Sequence, residues 1–316
     1  MAPSGPLIFL GTSSFAVPSL EALAAAGEDV RLVVTQPDRP RGRGQHTEAT
    51  PVRAAAERLG LPLFQPARVN DHEAVAELAR LAPEVLVVVA YGQLLRAALL
   101  ALPRRGAVNL HPSLLPRHRG PSPVAWTILS GDAEAGNSTM LLDEGMDTGP
   151  VLLQESVPVG PEATRGELEE VLARTGGGLL VRTLRGLRDG TVYPVPQDEA
   201  RATASRLLTR ELRILSWERP AEEVRRVVHA LSPQPGALAA VGGRLVKVLR
   251  VREAAAAGPP GRVLELRREG PVVACGGGAV VWLEVQPEGK RAMSGADFAR
   301  GGGVAAGQHL EAPPHG

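Results

Sequence analysis

At 316 residues the chain is long enough for two domains, each with its own core. Its hydrophobic fraction of 44% and charged fraction of 22% are those of an ordinary soluble globular protein. No apolar run reaches the roughly 18 residues that a membrane span needs, and the N-terminus lacks the basic start of a signal peptide. The formal net charge is only +1, and the single cysteine, Cys275, excludes an internal disulfide and any multi-cysteine zinc site. We therefore expect a cytoplasmic protein without a membrane segment.

The first half of the chain alternates between apolar runs of strand length and helical patterns. The predicted strands are Leu7–Leu10, Val30–Thr35, Glu84–Ala90 and Ala107–Leu110, and the predicted helices are Phe15–Ala26, Thr50–Leu59 and Asn70–Leu81. The strands are apolar throughout, as in sheets that helices cover on both faces. This pattern predicts an α/β fold with a Rossmann-like, doubly wound, mostly parallel sheet.

The second half has a different pattern. Val151–Val159 predicts a strand, Glu167–Leu187 predicts a helix loosened by the glycines at 176–178, and the polar segment 189–204 is the best linker. One amphipathic helix and several short strands follow: Ala221–Leu231, Leu245–Val251, Gly261–Leu266, Pro271–Ala274 and Ala279–Val285. They predict a smaller C-terminal OB-like β-barrel, although a plain accessory β-domain fits nearly as well. We expect domains at 1–189 and 207–316, joined by a linker at 190–206.

The segment AVNLHPSLLPRHRG at 107–120 carries the strongest sign of chemistry. A buried strand ends there in Asn109 and His111, and the prolines that follow prevent a helix. Parallel sheets bind ligands at the carboxyl ends of their strands, and side chains two residues apart point to the same side. An amide and an imidazole so placed suit a developing oxyanion and a proton, which indicates acyl or formyl transfer. The alternative is an ordinary loop Asn and His, each bonded to backbone groups.

A second polar segment, LLDEGMDTGP at 141–150, supplies two carboxylates. Either Asp143 or Asp147 could hold an imidazole in one tautomer or accept a proton from an amine. Ordinary turn chemistry is the alternative, since Asp and Gly both favour turns. We expect one of these carboxylates to contact His111, because the ends of neighbouring strands come together in the predicted sheet.

These two segments resemble the 10-formyltetrahydrofolate-dependent formyltransferases. The motifs N-L-H-P-S-L-L-P-R-H-R-G at 109–120 and D-E-G-M-D-T-G-P at 143–150 carry the resemblance. Further matching motifs are F-L-G-T-x-x-F-A at 9–16, T-Q-P-D-R-P-R-G-R-G at 35–44, P-V-R-A-A-A at 51–56, L-P-L-F-Q-P at 61–66, V-V-V-A-Y-G at 87–92 and P-G-R-V-L at 260–264. The arginine-containing loop and the C-terminal part narrow the resemblance to members whose acceptor is methionyl-tRNA.

The resemblance implies a role for each matched position. It places the catalytic residues at Asn109, His111 and Asp147, the folate-contacting residues at Ser113, Leu114, Leu115 and Pro116, and the tRNA-contacting arginines at Arg39, Arg41 and Arg43. These arginines belong to an acceptor loop at about 36–50, and their guanidinium groups suit phosphates. The expected formyl donor is 10-formyltetrahydrofolate, without a metal, and the expected partner is initiator methionyl-tRNA. Domain 1–189 would then be catalytic and domain 207–316 would bind tRNA, in a monomer.

Two other functions remain open from the sequence. A formyltransferase could act on a small amine, such as an amino sugar or a ribonucleotide, but such an acceptor needs neither an arginine loop nor a second domain. A non-catalytic nucleic-acid-binding protein is the other alternative. The predicted barrel offers only Trp282 and Phe298 for stacking on bases, where single-strand binders usually supply several aromatic side chains.

Overall fold

The computed structural model describes residues 5–41 and 46–311, without the side chains of residues 39–41 and 46–47. The chain forms two compact units. The first extends as far as Gly120 and adds Ala135–Val157 and Glu169–Ala204; the second comprises Pro121–Glu134, Pro158–Leu168 and the described residues from Ser205 onward. The domain boundaries expected at 189 and 207 stay a prediction.

The first two-thirds of the chain contain the strands of the large sheet and a hairpin. The strands are β1 Leu7–Gly11, β2 Val30–Val34, β3 Arg39–Arg41, β4 His46–Glu48, β5 Leu63–Phe64, β6 Val85–Val89, β7 Ala107–His111, β8 Glu134–Leu141 and β9 Val151–Pro158. The helices are α1 Val17–Ala25, α2 Pro51–Arg58, α3 His72–Arg80, α4 Ala97–Leu100, α5 Pro123–Ser130 and α6 Arg165–Asp189, with a short 3-10 helix at Ser14–Ala16.

The large sheet is Rossmann-like, as the sequence predicts. Its strand order is β5-β2-β1-β6-β7-β8-β9. The pairs from β5 to β7 are parallel, and β8 joins β7 antiparallel. Strands β1 and β6 are buried over their whole length, which explains their unbroken apolar sequences. The predicted fold class is therefore confirmed for this part of the chain.

Helices cover both faces of this sheet. On one face, the buried side chains of α1, α2 and α6 pack against the inward residues of β1, β6 and β7. On the other face, Leu78 of α3 and Leu99 of α4 pack against Ile8, Leu10 and Val88. Since strand residues alternate between faces, each strand contributes to both cores.

Helix α6 is continuous through its three glycines, so the predicted loosening at 176–178 is wrong. A Cβ atom on Gly177 would lie 2.9 Å from the backbone oxygen of Pro18 and 2.9 Å from the Ala22 side chain. Gly176 faces the Leu110 side chain of β7 in the same way. The glycines allow α6 to approach α1 and the sheet closely, and this packing outweighs their low helix propensity.

The second unit contains an antiparallel sheet. After residue 189 the elements are a 3-10 helix Glu199–Arg201, helices α7 Arg210–Arg213, α8 Ala221–Leu231 and α9 Gly295–Arg300, and strands β10 Ala237–Val241, β11 Arg244–Ala254, β12 Val263–Leu266, β13 Pro271–Ala274, β14 Ala279–Pro287 and β15 Met293–Ser294. The strand order is β10-β11-β14-β13-β12, with β15 added beside β14.

The core of this unit lies between the sheet and α8. The α8 residues Val224, Val228 and Leu231 are buried in it, as the amphipathic pattern predicts. The rings of Trp217 and Trp282 stack with their centroids 6.0 Å apart. Trp282 thus belongs to the core and is not available for stacking on bases.

Candidate active site

Strand β7 carries the first two candidate residues to its carboxyl end. Asn109 and His111 lie on one side of the strand, while Val108 and Leu110 point into the core on the other side. Asn109 pairs in register with Met140 of β8, and His111 pairs with Ser138. The alternation predicted from the sequence is therefore present at this strand.

The third candidate, Asp147, lies close to His111. One oxygen of its carboxylate, Oδ2, is 3.6 Å from His111 Nδ1 and accepts a hydrogen bond of 2.7 Å from the backbone N–H of Gly120. Asp143 instead accepts bonds from Thr148 Oγ1 and Gly145 N–H in its own turn. Of the two carboxylates that the sequence left open, the structure brings Asp147 to the imidazole.

Asp147 reaches His111 through a turn, and not because the strands that precede these two residues end side by side. Because β8 is antiparallel to β7, its last residue, Leu141, pairs with Val108 and not with His111. The turn that follows must run back along β7 by three residues, about 10 Å at the usual rise of a strand. Asp147 lies in this turn with a left-handed backbone, φ 56°.

A backbone carbonyl fixes the tautomer of His111. Nε2 lies 3.1 Å from the carbonyl oxygen of His118, which can only accept, so Nε2 carries the hydrogen. In the neutral ring Nδ1 then turns its lone pair toward the Asp147 carboxylate. Burial lowers the pKa of His111, while the charge of Asp147 acts in the opposite direction. This pair is therefore arranged to receive one proton between Nδ1 and the carboxylate.

The Asn109 side chain is only half-buried. Among the described residues no group forms a hydrogen bond with this side chain. The amide can therefore donate to an oxygen of a bound molecule on the same side of β7 as His111. This is the requirement for stabilising an oxyanion.

The predicted folate-contacting segment is a loop that follows β7, with two of its four side chains buried. Ser113 and Leu115 are 1% and 5% exposed. The hydroxyl of Ser138 links them, since it donates to the Ser113 carbonyl at 2.6 Å and accepts from the Leu115 N–H at 3.0 Å. These contacts give the segment a shaping role; direct contact of Ser113, Leu114, Leu115 and Pro116 with folate stays a prediction.

A cavity of about 400 Å³ lies at the carboxyl ends of β1, β2 and β6. The strand order reverses around β1, and doubly wound sheets bind ligands at such a point. Thr12, Gln36 and Tyr91 line this cavity, and the side chains of Thr12 and Gln36 both donate to the Tyr91 carbonyl at 2.8 Å. The wall at residues 48–51 begins at the last residue of β4, in the β3–β4 hairpin of the predicted acceptor loop.

Two of the three candidate arginines lie on strand β3. The backbone of Arg39 and Arg41 forms strand β3, while their side chains lie outside the description, and Arg43 lies outside the described residues altogether. Contact of these arginines with tRNA stays a prediction.

Sequence reasoning did not find the groups that support the site. Arg119, Gln197 and Thr203 contact the loops around His111 and Asp147. Two of them come from the polar segment after α6, which the sequence marks only as a linker. Within the described ranges, His, Cys, Asp and Glu side chains form no cluster suited to a metal. No helix there has both the length and the apolar character needed to cross a bilayer.

Comparison with known families assigns the chain to a class of enzymes. Residues 6–184 match the model of the family described as Formyl transferase, and residues 207–303 match the model described as Formyl transferase, C-terminal domain. The two matches define a formyltransferase with both of the family's domains.

Individual relatives narrow this class. The chain is 48% identical over 308 residues to a methionyl-tRNA formyltransferase from Roseiflexus sp. (strain RS-1), covering 96% of this chain and 94% of that protein. It is 46% identical over 308 residues to one from Roseiflexus castenholzii (strain DSM 13941 / HLO8), covering 96% and 98%. The chain therefore belongs to the formyl transferase family, in the branch whose relatives are named methionyl-tRNA formyltransferase.

Solved structures share the fold at lower identity. HypX from Aquifex aeolicus, solved in complex with tetrahydrofolic acid, has a TM-score of 0.65 and 20% sequence identity. The match covers 92% of this chain and 46% of HypX, so the chain spans about half the length of that protein. At this identity the likeness shows the fold alone.

Proposed function

We propose that the protein transfers the formyl group of 10-formyltetrahydrofolate to the free amino group of initiator methionyl-tRNA, giving N-formylmethionyl-tRNA for translation initiation. The observation that carries this proposal is the 48% identity to a relative of that name over 96% of the chain. The match of both parts of the chain to formyltransferase models agrees with it. The tetrahydrofolate in the HypX structure supports a folate as the donor.

In the reaction the amine nitrogen forms a bond to the formyl carbon, and the bond from that carbon to the folate nitrogen breaks. The formyl oxygen becomes negative in between, and the Asn109 amide, which bonds to none of the described residues, would donate a hydrogen bond to it. The amine loses one proton, and the folate nitrogen that leaves gains one.

His111 and Asp147 would carry that proton. The imidazole receives it at Nδ1, where it lies between the ring and the carboxylate 3.6 Å away. The His118 carbonyl holds the other ring nitrogen, so the imidazole keeps its orientation throughout. A buried site with preorganised groups gains most from these interactions, because water does not weaken them.

The acceptor side of the proposal uses the loop at 36–50 and the C-terminal part. Arg39, Arg41 and Arg43 would contact tRNA phosphates, with domain 207–316 as a second tRNA-binding surface. Residues 206–316 contain 16 Lys and Arg against 11 Asp and Glu, which suits a polyanion. We infer that the protein works as a monomer in the cytoplasm, where aminoacyl-tRNA is made.

A direct assay tests this proposal. Purified protein receives 10-formyltetrahydrofolate together with initiator Met-tRNA, elongator Met-tRNA, or a panel of amino-sugar nucleotides and amino ribonucleotides. We expect N-formylmethionine, after mild release from the tRNA, only with the initiator. Formylation of a small amine with none of Met-tRNA would establish the alternative acceptor instead.

A further inference from the structure

The turn that carries Asp147 is held by a residue far along the chain. The side-chain amide of Gln197 donates to the carbonyl oxygen of Asp147 at 2.8 Å and to that of Gly149 at 2.7 Å. Both carbonyls belong to the turn that runs back along β7. A non-glycine residue with φ 56° needs such support, because this backbone conformation is unfavourable by itself.

The same glutamine is fixed from its other end. Arg119 donates to Gln197 Oε1 from Nε at 3.0 Å and from Nη2 at 2.9 Å. The next residue is Gly120, whose N–H holds the Asp147 carboxylate at 2.7 Å. The contacts form a closed ring: Gln197 holds the backbone of Asp147, Gly120 holds its carboxylate, and Arg119 joins Gln197 to Gly120.

We propose that Gln197 is a positioning residue for formyl transfer, which fixes the Asp147 carboxylate against His111 by binding the two carbonyls of the turn. This inference rests on the function proposed above. Gln197 bonds to the backbone carbonyl of Asp147, so it acts through the position of the carboxylate. Displacing a catalytic group by about 1 Å can cost about 100-fold in rate, so a small shift of the turn is sufficient.

The test is Gln197→Glu, which has the same shape. Its carboxylate still accepts from Arg119 but has no N–H for the two carbonyls and repels them. We expect kcat for Met-tRNA to fall by about 10- to 100-fold, with KM within about twofold. The control is Asp198→Asn, the reverse exchange of an acid for an amide at the exposed neighbour, whose carboxylate accepts from the Ala200 N–H in its own turn. We expect wild-type kinetics from that variant.

A double-mutant cycle separates positioning from general destabilisation. If Gln197 acts through the carboxylate, Gln197→Glu has no further effect on kcat in an Asp147→Asn background. Additive losses, or wild-type kcat in Gln197→Glu, would overturn the inference. A substrate-free readout is the NMR signal of the His111 ring nitrogens, which should change in Gln197→Glu and not in Asp198→Asn. If the wild-type enzyme does not formylate Met-tRNA, the proposed function is wrong. The NMR comparison still tests whether Gln197 positions Asp147 against His111.

Discussion

Replacing Asp147 by asparagine removes the charge that lies 3.6 Å from His111 Nδ1 and keeps an oxygen that can accept from the Gly120 N–H. Coulomb's law over this distance gives about 1 kcal/mol at a dielectric constant of about 80 and about 5 kcal/mol at about 20. The His111 side chain is 6% exposed and that of Asp147 is 17% exposed, so the middle to upper part of this range applies. We expect kcat to fall by about 100-fold or more, since each 1.36 kcal/mol corresponds to about tenfold.

The pH dependence of this variant has a definite direction. In the wild type, burial lowers the pKa of His111 and the Asp147 charge opposes that effect. Without the charge the protonated ring loses its stabilising partner, so the pKa of His111 falls further. Neutral imidazole then persists to lower pH, and the acid limb of the kcat profile moves toward lower pH in Asp147→Asn.

The assay is single-turnover formyl transfer to Met-tRNA between about pH 5 and pH 9, where His titration is observable. The matched control is Asp143→Asn, because the Asp143 carboxylate accepts its hydrogen bonds from Gly145 and Thr148 in its own turn and should leave the acid limb in place. An acid limb that stays unchanged or moves to higher pH in Asp147→Asn would refute the coupling of this carboxylate to His111. A kcat within about threefold of the wild type would refute the catalytic role of the pair.

The other predictions concern the oxyanion donor, the packing of α6 and a buried ion pair. Asn109→Leu should lower kcat by about 100- to 1,000-fold with an unchanged melting temperature, since no described protein group depends on this amide; a parallel loss of stability would contradict that. Gly177→Ala should destabilise the protein in urea because its Cβ would press on the backbone of α1, whereas Gly178→Ala, on the exposed side of the same helix, should stabilise it by up to about 1 kcal/mol; equal signs would refute the packing argument. Arg188→Met should lower the free energy of unfolding by about 3 kcal/mol, because it leaves the Glu28 carboxylate buried without its two hydrogen bonds, and a change below about 1 kcal/mol in urea titration would contradict this.

The sequence predicts the elements whose signals are local. The apolar strands β1, β2, β6 and β7 and helices α1 to α3 follow from periodicity alone, and α8 follows from its amphipathic pattern. The sequence does not predict helix α5, because its residues, PVAWTILS, are mostly buried and show no polar stripe. The sequence does not predict the β3–β4 hairpin, because proline, which lies inside β3, is depleted in strands.

Some residues of the candidate site can be predicted from the local sequence, whereas others depend on contacts between distant segments. Asn109 and His111 could be found because they end one strand, two residues apart. The choice between Asp143 and Asp147 could not be made from turn composition, because it depends on the antiparallel register of β8. The role of Gln197 cannot be predicted from the sequence. Its partners are backbone carbonyls about fifty residues earlier, and every residue carries such a carbonyl.

The direction of β8 explains why the site needs these distant supports. A strand added in parallel would deliver its own carboxyl end beside His111, as β6 does for β7. The antiparallel β8 instead delivers that end beside Val108, so the acidic turn has to run back along β7 to reach the imidazole. A turn that does not pair with a strand has few backbone hydrogen-bond partners. Here the Gln197 side chain and the Gly120 N–H, in the loop after β7, bond to Asp147 instead. The segment after α6 is therefore a structural part of the site, and shortening or replacing residues 197–203 should impair catalysis even when each of Asn109, His111 and Asp147 is retained.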